Sequence, residues 1–182
     1  RKAGLFEGFI GDRDRHAGQG NWAGYKSDKK RIWKPIPKDR DFAFPLYDGL
    51  FPTLMTVAIT SMVHFDYEMP AMLDMTWEGR HLDRRLLSSL DKPVWDSVAA
   101  FMQRIITDAT IEQAVRQLPE EYFHQEGENL IAVLKSRRDQ LKSASDEFYN
   151  WVSKYVDVYC SDKDEFVEVK RVNDIFTEVT VF

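Results

Sequence analysis

A mainly helical α+β domain is the fold class this sequence predicts, and three observations predict it. From residue 50 to residue 155, apolar side chains recur at the three-to-four-residue interval of helices. Short stretches near both ends instead carry β-branched and aromatic residues bounded by polar turns, as strands do. The 182 residues are 43% hydrophobic and include 12 Phe, 7 Tyr and 5 Trp, enough to bury one core.

Taken in order, Leu5, Phe6, Phe9 and Ile10 place an apolar stripe on a short helix that Gly11 stops. A polar loop runs from Asp12 to Gly20. Trp22 to Ser27 and Arg31 to Ile36 then read as a hairpin turned by Asp28-Lys29-Lys30. Pro35 and Pro37 end its second strand and stiffen the approach to Lys38-Asp39-Arg40-Asp41. Leu50, Leu54, Val57, Ala58 and Met62 make one helix face, and Leu82, Leu86, Leu87 and Leu90 another. Pro93 suits the first turn of a helix carrying Val94, Val98, Phe101, Ile105 and Ile106. Thr107 is placed to N-cap the next one, with Ile111, Ala114, Val115 and Leu118 on one face and Pro119 ending it. Asn129 to Tyr155 reads as one long amphipathic helix, with Leu134, Leu141, Phe148 and Tyr155 in register and Arg137-Arg138 on an exposed face. Afterwards Val156, Val158 and Tyr159, then Phe166, Val167 and Val169, then Val179 and Val181 suggest strands, with turns at Ser161 to Asp164 and at Asn173-Asp174. The expected organisation is a helical domain over 1–155 and a β segment over 156–182, either packed on the helices or opening a following domain. Arg1 without a methionine, and an end at Val179-Thr180-Val181-Phe182 that reads as mid-strand, suggest a piece of a longer protein whose other domains are its partners.

Bulk properties remove several function classes. A net charge of −5 argues against general nucleic-acid binding. A single cysteine, Cys160, excludes an internal disulfide and a cysteine zinc cage, and with no base beside it in sequence it reads as inert. No run of about 18 apolar residues exists to span a membrane, and no signal peptide is visible. No Gly-x-Ser-x-Gly nucleophile turn occurs. His64, His81 and His124 show no metal-ligand spacing, and a phosphoesterase metal centre would need more histidines than His16. Trp33, Trp77, Trp95 and Trp151 are assigned to core or interface packing, and Arg80, Arg84 and Arg85 to a helix surface.

What remains is concentrated in residues 11–45. One cluster is Gly11-Asp12-Arg13-Asp14-Arg15-His16-Ala17-Gly18-Gln19-Gly20-Asn21-Trp22, and the other is Lys34-Pro35-Ile36-Pro37-Lys38-Asp39-Arg40-Asp41-Phe42-Ala43-Phe44-Pro45. A hairpin between them brings them together. Such a set suits phosphoryl transfer, in which a carboxylate takes the acceptor's proton while carboxylate and amide oxygens hold magnesium or manganese on the phosphates. Asp14 stands five residues before Gln19, the interval between a catalytic-loop aspartate and its metal-binding asparagine. Asp41 and Asp39 are the rival carboxylate ligands for the metal, and Arg13, Lys38 and Arg40 are the phosphate-binding candidates.

The pattern Gly-x-x-Asp-Arg-His is similar to the catalytic loop of phosphoinositide 3- and 4-kinases and of secretory-pathway Fam-type kinases. Asp41-Phe42-Ala43-Phe44-Pro45 resembles the metal-binding loop of type II phosphatidylinositol 4-kinases. The combination Gly-Asp-x-Asp-Arg-His with Trp-x-Pro-Ile-Pro-x-Asp-Arg-Asp-x-Ala-Phe resembles an uncharacterised domain of Gram-negative envelope proteins, which can accompany a calcineurin-like metallophosphoesterase or an outer-membrane barrel. Thr76-Trp77-Glu78-Gly79-Arg80, Leu118-Pro119 and Leu134-Lys135-Ser136-Arg137-Arg138-Asp139 extend that likeness over most of the chain, whereas the kinase likeness covers residues 11–45. The resemblance implies the C-terminal lobe of a kinase-like fold, an envelope or extracytoplasmic location, Asp14 as catalytic aspartate, and Arg15 and His16 supporting phosphate and transition-state charge. Asp41 or Asp39 would bind metal, helped by Gln19, or by Asn21 because Gln19 replaces the usual asparagine. A nucleotide would need a clamping lobe upstream, so the fragment alone is expected to be inactive. The alternatives are a non-catalytic scaffold or pseudo-kinase and an accessory domain supplying phosphate contacts to a metallophosphoesterase.

Overall fold

The chain is α+β, about half helical, with two separate antiparallel sheets of two strands each. The computed structural model describes residues 2–16, 18, 21–27, 30–36, 38–47, 49–58, 62–158 and 160–182, and only the backbone of Asn21, Ser27, Thr53 and residues 56–58. The expectations for Asp28-Lys29, Pro37 and Tyr159 therefore lie outside the described residues.

The core forms where α1 (Lys2–Ile10), α3 (Met72–Thr76), α5 (Lys92–Ile105), α8 (Glu128–Asp139) and α9 (Leu141–Val152) meet. Leu5, Met72, Trp95, Leu141, Phe148 and Val152 are fully buried there. The Trp95 ring meets Phe148 edge-on at 5.1 Å, an arrangement the ring quadrupoles favour. Pro93 lies in the first turn of α5, where its missing N–H has no helical partner to lose. The Thr107 hydroxyl accepts the Thr110 amide at 3.1 Å and so caps α6 (Asp108–Val115). A short α7 (Glu120–Tyr122) continues through one π turn, Phe123–Gly127, into α8.

Several expectations need correction. The long C-terminal helix is two helices that break at Gln140. That side chain reaches across to an extended strap, donating to Tyr67 O at 2.6 Å and accepting from Met69 N at 3.0 Å. Leu134, Leu141 and Phe148 are buried, but Tyr155 lies beyond α9 and is exposed. Arg137 is not on an exposed face; it is fully buried. Of the tryptophans, Trp95 is in the core, while Trp33 and Trp77 are about half exposed, the latter with Arg80 stacked 4.2 Å from its ring centre. The first hairpin's second strand does end at Ile36 as expected, with Pro35 as its penultimate residue. Strands β1 (Asn21–Ser27) and β2 (Lys30–Ile36) pair with Trp22 opposite Pro35, and a two-stranded ribbon has a free edge to take a residue without an N–H. The helix α2 (Leu50–Ala58) stops before Met62, and Leu50, Phe51 and Leu54 on it are exposed. Val156 and Val158 form no strand; the second hairpin is β3 (Val167–Arg171) with β4 (Thr177–Val181), exposed along nearly its whole length. Among the described residues no helix is long and apolar enough to cross a membrane.

Candidate functional site

The loop carrying Asp12, Asp14 and His16 is set by how α1 ends. Gly11 takes φ 75°, a left-handed conformation that costs little without a Cβ. It donates to Gly8 O at 3.2 Å while Asp12 N reaches back to Glu7 O at 2.9 Å, the paired bonds of a Schellman motif. The next carbonyls are closed from elsewhere in the fold. Arg137 donates through Nε to Phe9 O at 2.9 Å and through Nη2 to Gly8 O at 2.8 Å. Ile10 O accepts from Phe44 N at 2.9 Å, which stitches the second cluster onto the end of α1. These bonds satisfy the carbonyls a helix terminus leaves open. Burial pushes the Arg137 guanidinium down to about 10, still far above neutrality, so it is a cation at a helix C-terminus, where the dipole favours one.

The two clusters meet across a buried charge network. Arg40 donates to Asp12 Oδ2 at 2.5 Å and to Glu7 Oε1 at 2.9 Å. Glu7 also pairs with Arg15, which forks onto Asp83 of α4 (Arg80–Leu87) with bonds of 2.8 and 2.9 Å. Gly79 lets α4 approach this closely: a Cβ there would stand 3.1 Å from Arg15 O. Burial works against the Arg15 charge, but Asp83 and Glu7 outweigh it and hold the group above its ordinary value. Arg40 behaves alike, its loss of water outweighed by the bonds to Asp12 and Glu7. Of the candidate residues, Arg15 and Arg40 thus have their guanidinium groups committed to carboxylates. Glu7 and Asp83 escaped the sequence reading. Each still carries a signal, a lone acid within an apolar helix and a lone acid within a basic one.

Asp14 stands at the rim of this network, held by the bond from its own amide to Asp12 Oδ1 at 3.2 Å. Its Oδ1 lies 3.5 Å from His16 Nε2. Gly18 N donates to His16 Nδ1 at 3.0 Å, so that nitrogen is an acceptor and the ring proton sits on Nε2, toward Asp14. A cleft of about 410 Å³ is lined by Asp14, His16 and Lys38 together with the Arg15–Asp83 and Arg40–Glu7 pairs. A second hollow of about 270 Å³ also touches Asp14 and is bounded by Arg13, Phe42, Asp74, Trp77 and Glu78. Arg13 there packs 5.7 Å from the Phe42 ring centre.

Asp39 takes φ 57°, which bends its loop sharply. The exposed carboxyl of Asp41 is pushed above the ordinary range, first by partial loss of water and then by the carboxylate of Asp39 and, more weakly, that of Asp14. Three aspartates from both clusters therefore feel one another. Oxygen donors of this kind suit magnesium or manganese, yet among the described residues no three His, Cys, Asp or Glu side chains are grouped to hold a metal ion. Gln19 and the Asn21 side chain lie outside the described residues. Cys160 is exposed, and a hydrogen bond to Glu165 raises its thiol, leaving little reactive thiolate. Comparison of the chain with protein-family models, curated proteins and solved structures finds no match.

Proposed function

We propose that this chain is a kinase-like phosphotransfer or phosphate-binding module of a larger, envelope-associated protein, built like a kinase C-terminal lobe. The observation that carries the reading is that Asp14 and His16 share a cleft with Lys38 while the arginines between them are already neutralised. In this arrangement Asp14 orients an acceptor hydroxyl and takes its proton as the hydroxyl oxygen bonds to the terminal phosphorus of a nucleoside triphosphate held by an upstream lobe, and the bond from that phosphorus to the departing nucleoside diphosphate breaks. His16, with its proton on Nε2, fixes the Asp14 carboxylate, and Lys38 offsets phosphate charge. Asp41 and Asp39 would hold magnesium or manganese, which lowers the charge on the phosphates when bound. Arg15 and Arg40 act as a frame rather than as phosphate ligands, because stripping either from its carboxylates leaves buried acids unpaired.

A second reading, a non-catalytic scaffold or pseudo-kinase, is favoured by the same network, since Glu7, Asp12 and Asp83 pair it internally. Titration calorimetry of manganese with inorganic pyrophosphate separates the two. The phosphotransfer reading expects manganese-dependent pyrophosphate binding, weakened at least about tenfold in Asp41→Asn and in Asp14→Asn, a change of ~1.4 kcal/mol. Asp41→Asn should melt no lower than the parent, since it removes a carboxylate that Asp39 and, more weakly, Asp14 repel. No manganese-dependent binding, or equal binding by all three proteins, refutes it. A lowered melting temperature in Asp14→Asn without any pyrophosphate binding establishes the scaffold.

A further inference from the structure

The second hairpin carries a self-complementary edge. Its side chains alternate cleanly: Val167, Val169, Val179 and Val181 share one face and are 40% to 65% exposed, while Glu168, Lys170, Glu178 and Thr180 share the other. A lone two-stranded ribbon is marginal in water, and further strands are one way to stabilise it. The backbone shows where a strand can be added. Phe166 and Phe182 exchange hydrogen bonds of 2.9 and 3.4 Å, and Val172 N donates to Phe176 O at 2.9 Å. Bonded and non-bonded pairs alternate along an antiparallel ladder, so the even-numbered residues of β3 bond to β4. Val167, Val169 and Arg171 therefore turn their N–H and C=O groups to the outer edge.

We infer that this edge of β3 pairs with the same edge of a second copy of the chain, antiparallel about a two-fold axis at Val169. Such an axis must pass through an outward-bonding residue, because only that residue can exchange both bonds with its own symmetry mate. At Val169 the strand is complementary to itself. Glu168 faces Lys170 of the partner subunit, and Lys170 faces Glu168 of the partner subunit, at the non-bonded positions where opposed side chains stand closest. Phe166 likewise meets Val172 of the partner subunit, both exposed in the single copy. An axis at Val167 sets Glu168 against Phe166, and one at Arg171 sets it against Asp174, a second acid. The outer edge of β4, taken about Val179, sets Glu178 against Thr180 and joins no opposite charges. Charge complementarity thus selects both the edge and the register. The joined sheet runs β4-β3-β3-β4, with the valines of both copies on one face and charges of alternating sign across the other. This contact does not depend on the phosphotransfer reading.

Sedimentation velocity of the 182-residue chain tests it. A strand-edge contact is small and weak, so the chain should sediment as a monomer at about 5 µM and chiefly as a dimer at about 500 µM. Glu168→Lys sets lysine against lysine on both sides of the axis and should raise the dissociation constant at least about tenfold. Lys170→Glu should do the same by opposing acids. Mixed in equal amounts, the two variants complement each other across the axis and should regain the association of the parent. Lys170→Glu also meets Glu178 across its own hairpin, so recovery on mixing is the deciding result, since a hairpin that had come apart would not recover. A monomer at every concentration overturns the inference and leaves the edge to a strand of another protein. Dimerisation that Glu168→Lys leaves unchanged, or variants that stay monomeric on mixing, also overturns it.

Discussion

Replacing Arg137 with methionine removes a cation but keeps most of its stem, and the structure sets the size of the effect. Four carbonyls accept from this guanidinium: Gly8 and Phe9 at the end of α1, and Asp66 and Glu68 in the strap, at 2.8, 2.9, 3.1 and 3.2 Å. Asp66 and Glu68 belong to exposed residues, so water can replace the lost donor. Gly8 and Phe9 are buried, and bonds from a charged donor are worth about 1.5–3 kcal/mol each there. Relief of the buried charge offsets part of the gross loss of about 3–6 kcal/mol. The net destabilisation expected is about 2–4 kcal/mol, or a fall in melting temperature of about 5–15 °C for a domain of this size. Arg137→Lys keeps the charge without the planar fork and should recover about half of that loss or less. Urea unfolding monitored by tryptophan fluorescence measures both variants, with the slope unchanged if only the native state is affected. A loss below about 1 kcal/mol in the methionine variant refutes the claim that Arg137 closes the end of α1.

Three further outcomes follow from other contacts. Asp83→Ala leaves Arg15 buried with Glu7 as its remaining acid, and should cost about 3–5 kcal/mol in urea unfolding; a loss under about 1 kcal/mol means the fork adds no stability. Gly11→Ala places a Cβ at positive φ and 2.8 Å from the Phe65 ring, and should destabilise by about 1–3 kcal/mol; an unchanged melting temperature removes Gly11 as the helix stop. For Asp146, partial desolvation is overcome by bonds from Lys142 and Lys92, and Asp96 is likewise held low by Lys92. A folded value below the unfolded one gives stability that is complete above about pH 4 and is lost as pH falls through the folded value, so Asp146→Asn should flatten the urea midpoint's decline below about pH 4. An identical acid profile in the variant counts against that pairing.

The parts of the fold that were legible in the sequence are those whose cause is local. A glycine in a left-handed turn, a proline in a first helical turn and a threonine cap act through bonds spanning a few residues, so pattern alone places them. The first hairpin is legible for the same reason, and with it the meeting of the two acidic-basic clusters, which Arg40 and Asp12 join. The failures share the opposite cause. The α8–α9 break depends on Gln140 bonding a strap 71 and 73 positions earlier, and helical periodicity runs through it undisturbed. Arg137 reads as a solvated basic pair because its acceptors are main-chain carbonyls, at separations up to 129 residues, which no side-chain pattern announces.

This difference also explains why the candidate site was only half visible. A motif records which side chains gather, but not which of them are already committed. Among the gathered cations, Arg15 and Arg40 look interchangeable with Lys38 until Glu7 and Asp83 enter from helices 33 and 68 residues away in sequence. Those two acids divide the cluster by function. They absorb the guanidinium groups into a rigid frame and leave the lysine at the rim to face the cleft. A paired guanidinium is a costly phosphate ligand, since each bond to phosphate must first be taken from a buried carboxylate. The sharpest consequence concerns Asp14. Its backbone is fixed by Asp12, and Asp12 is fixed by Arg40, so the frame positions the carboxylate that the proposed chemistry uses. Disturbing the frame should therefore move Asp14, whose backbone it holds through Asp12 and Arg40.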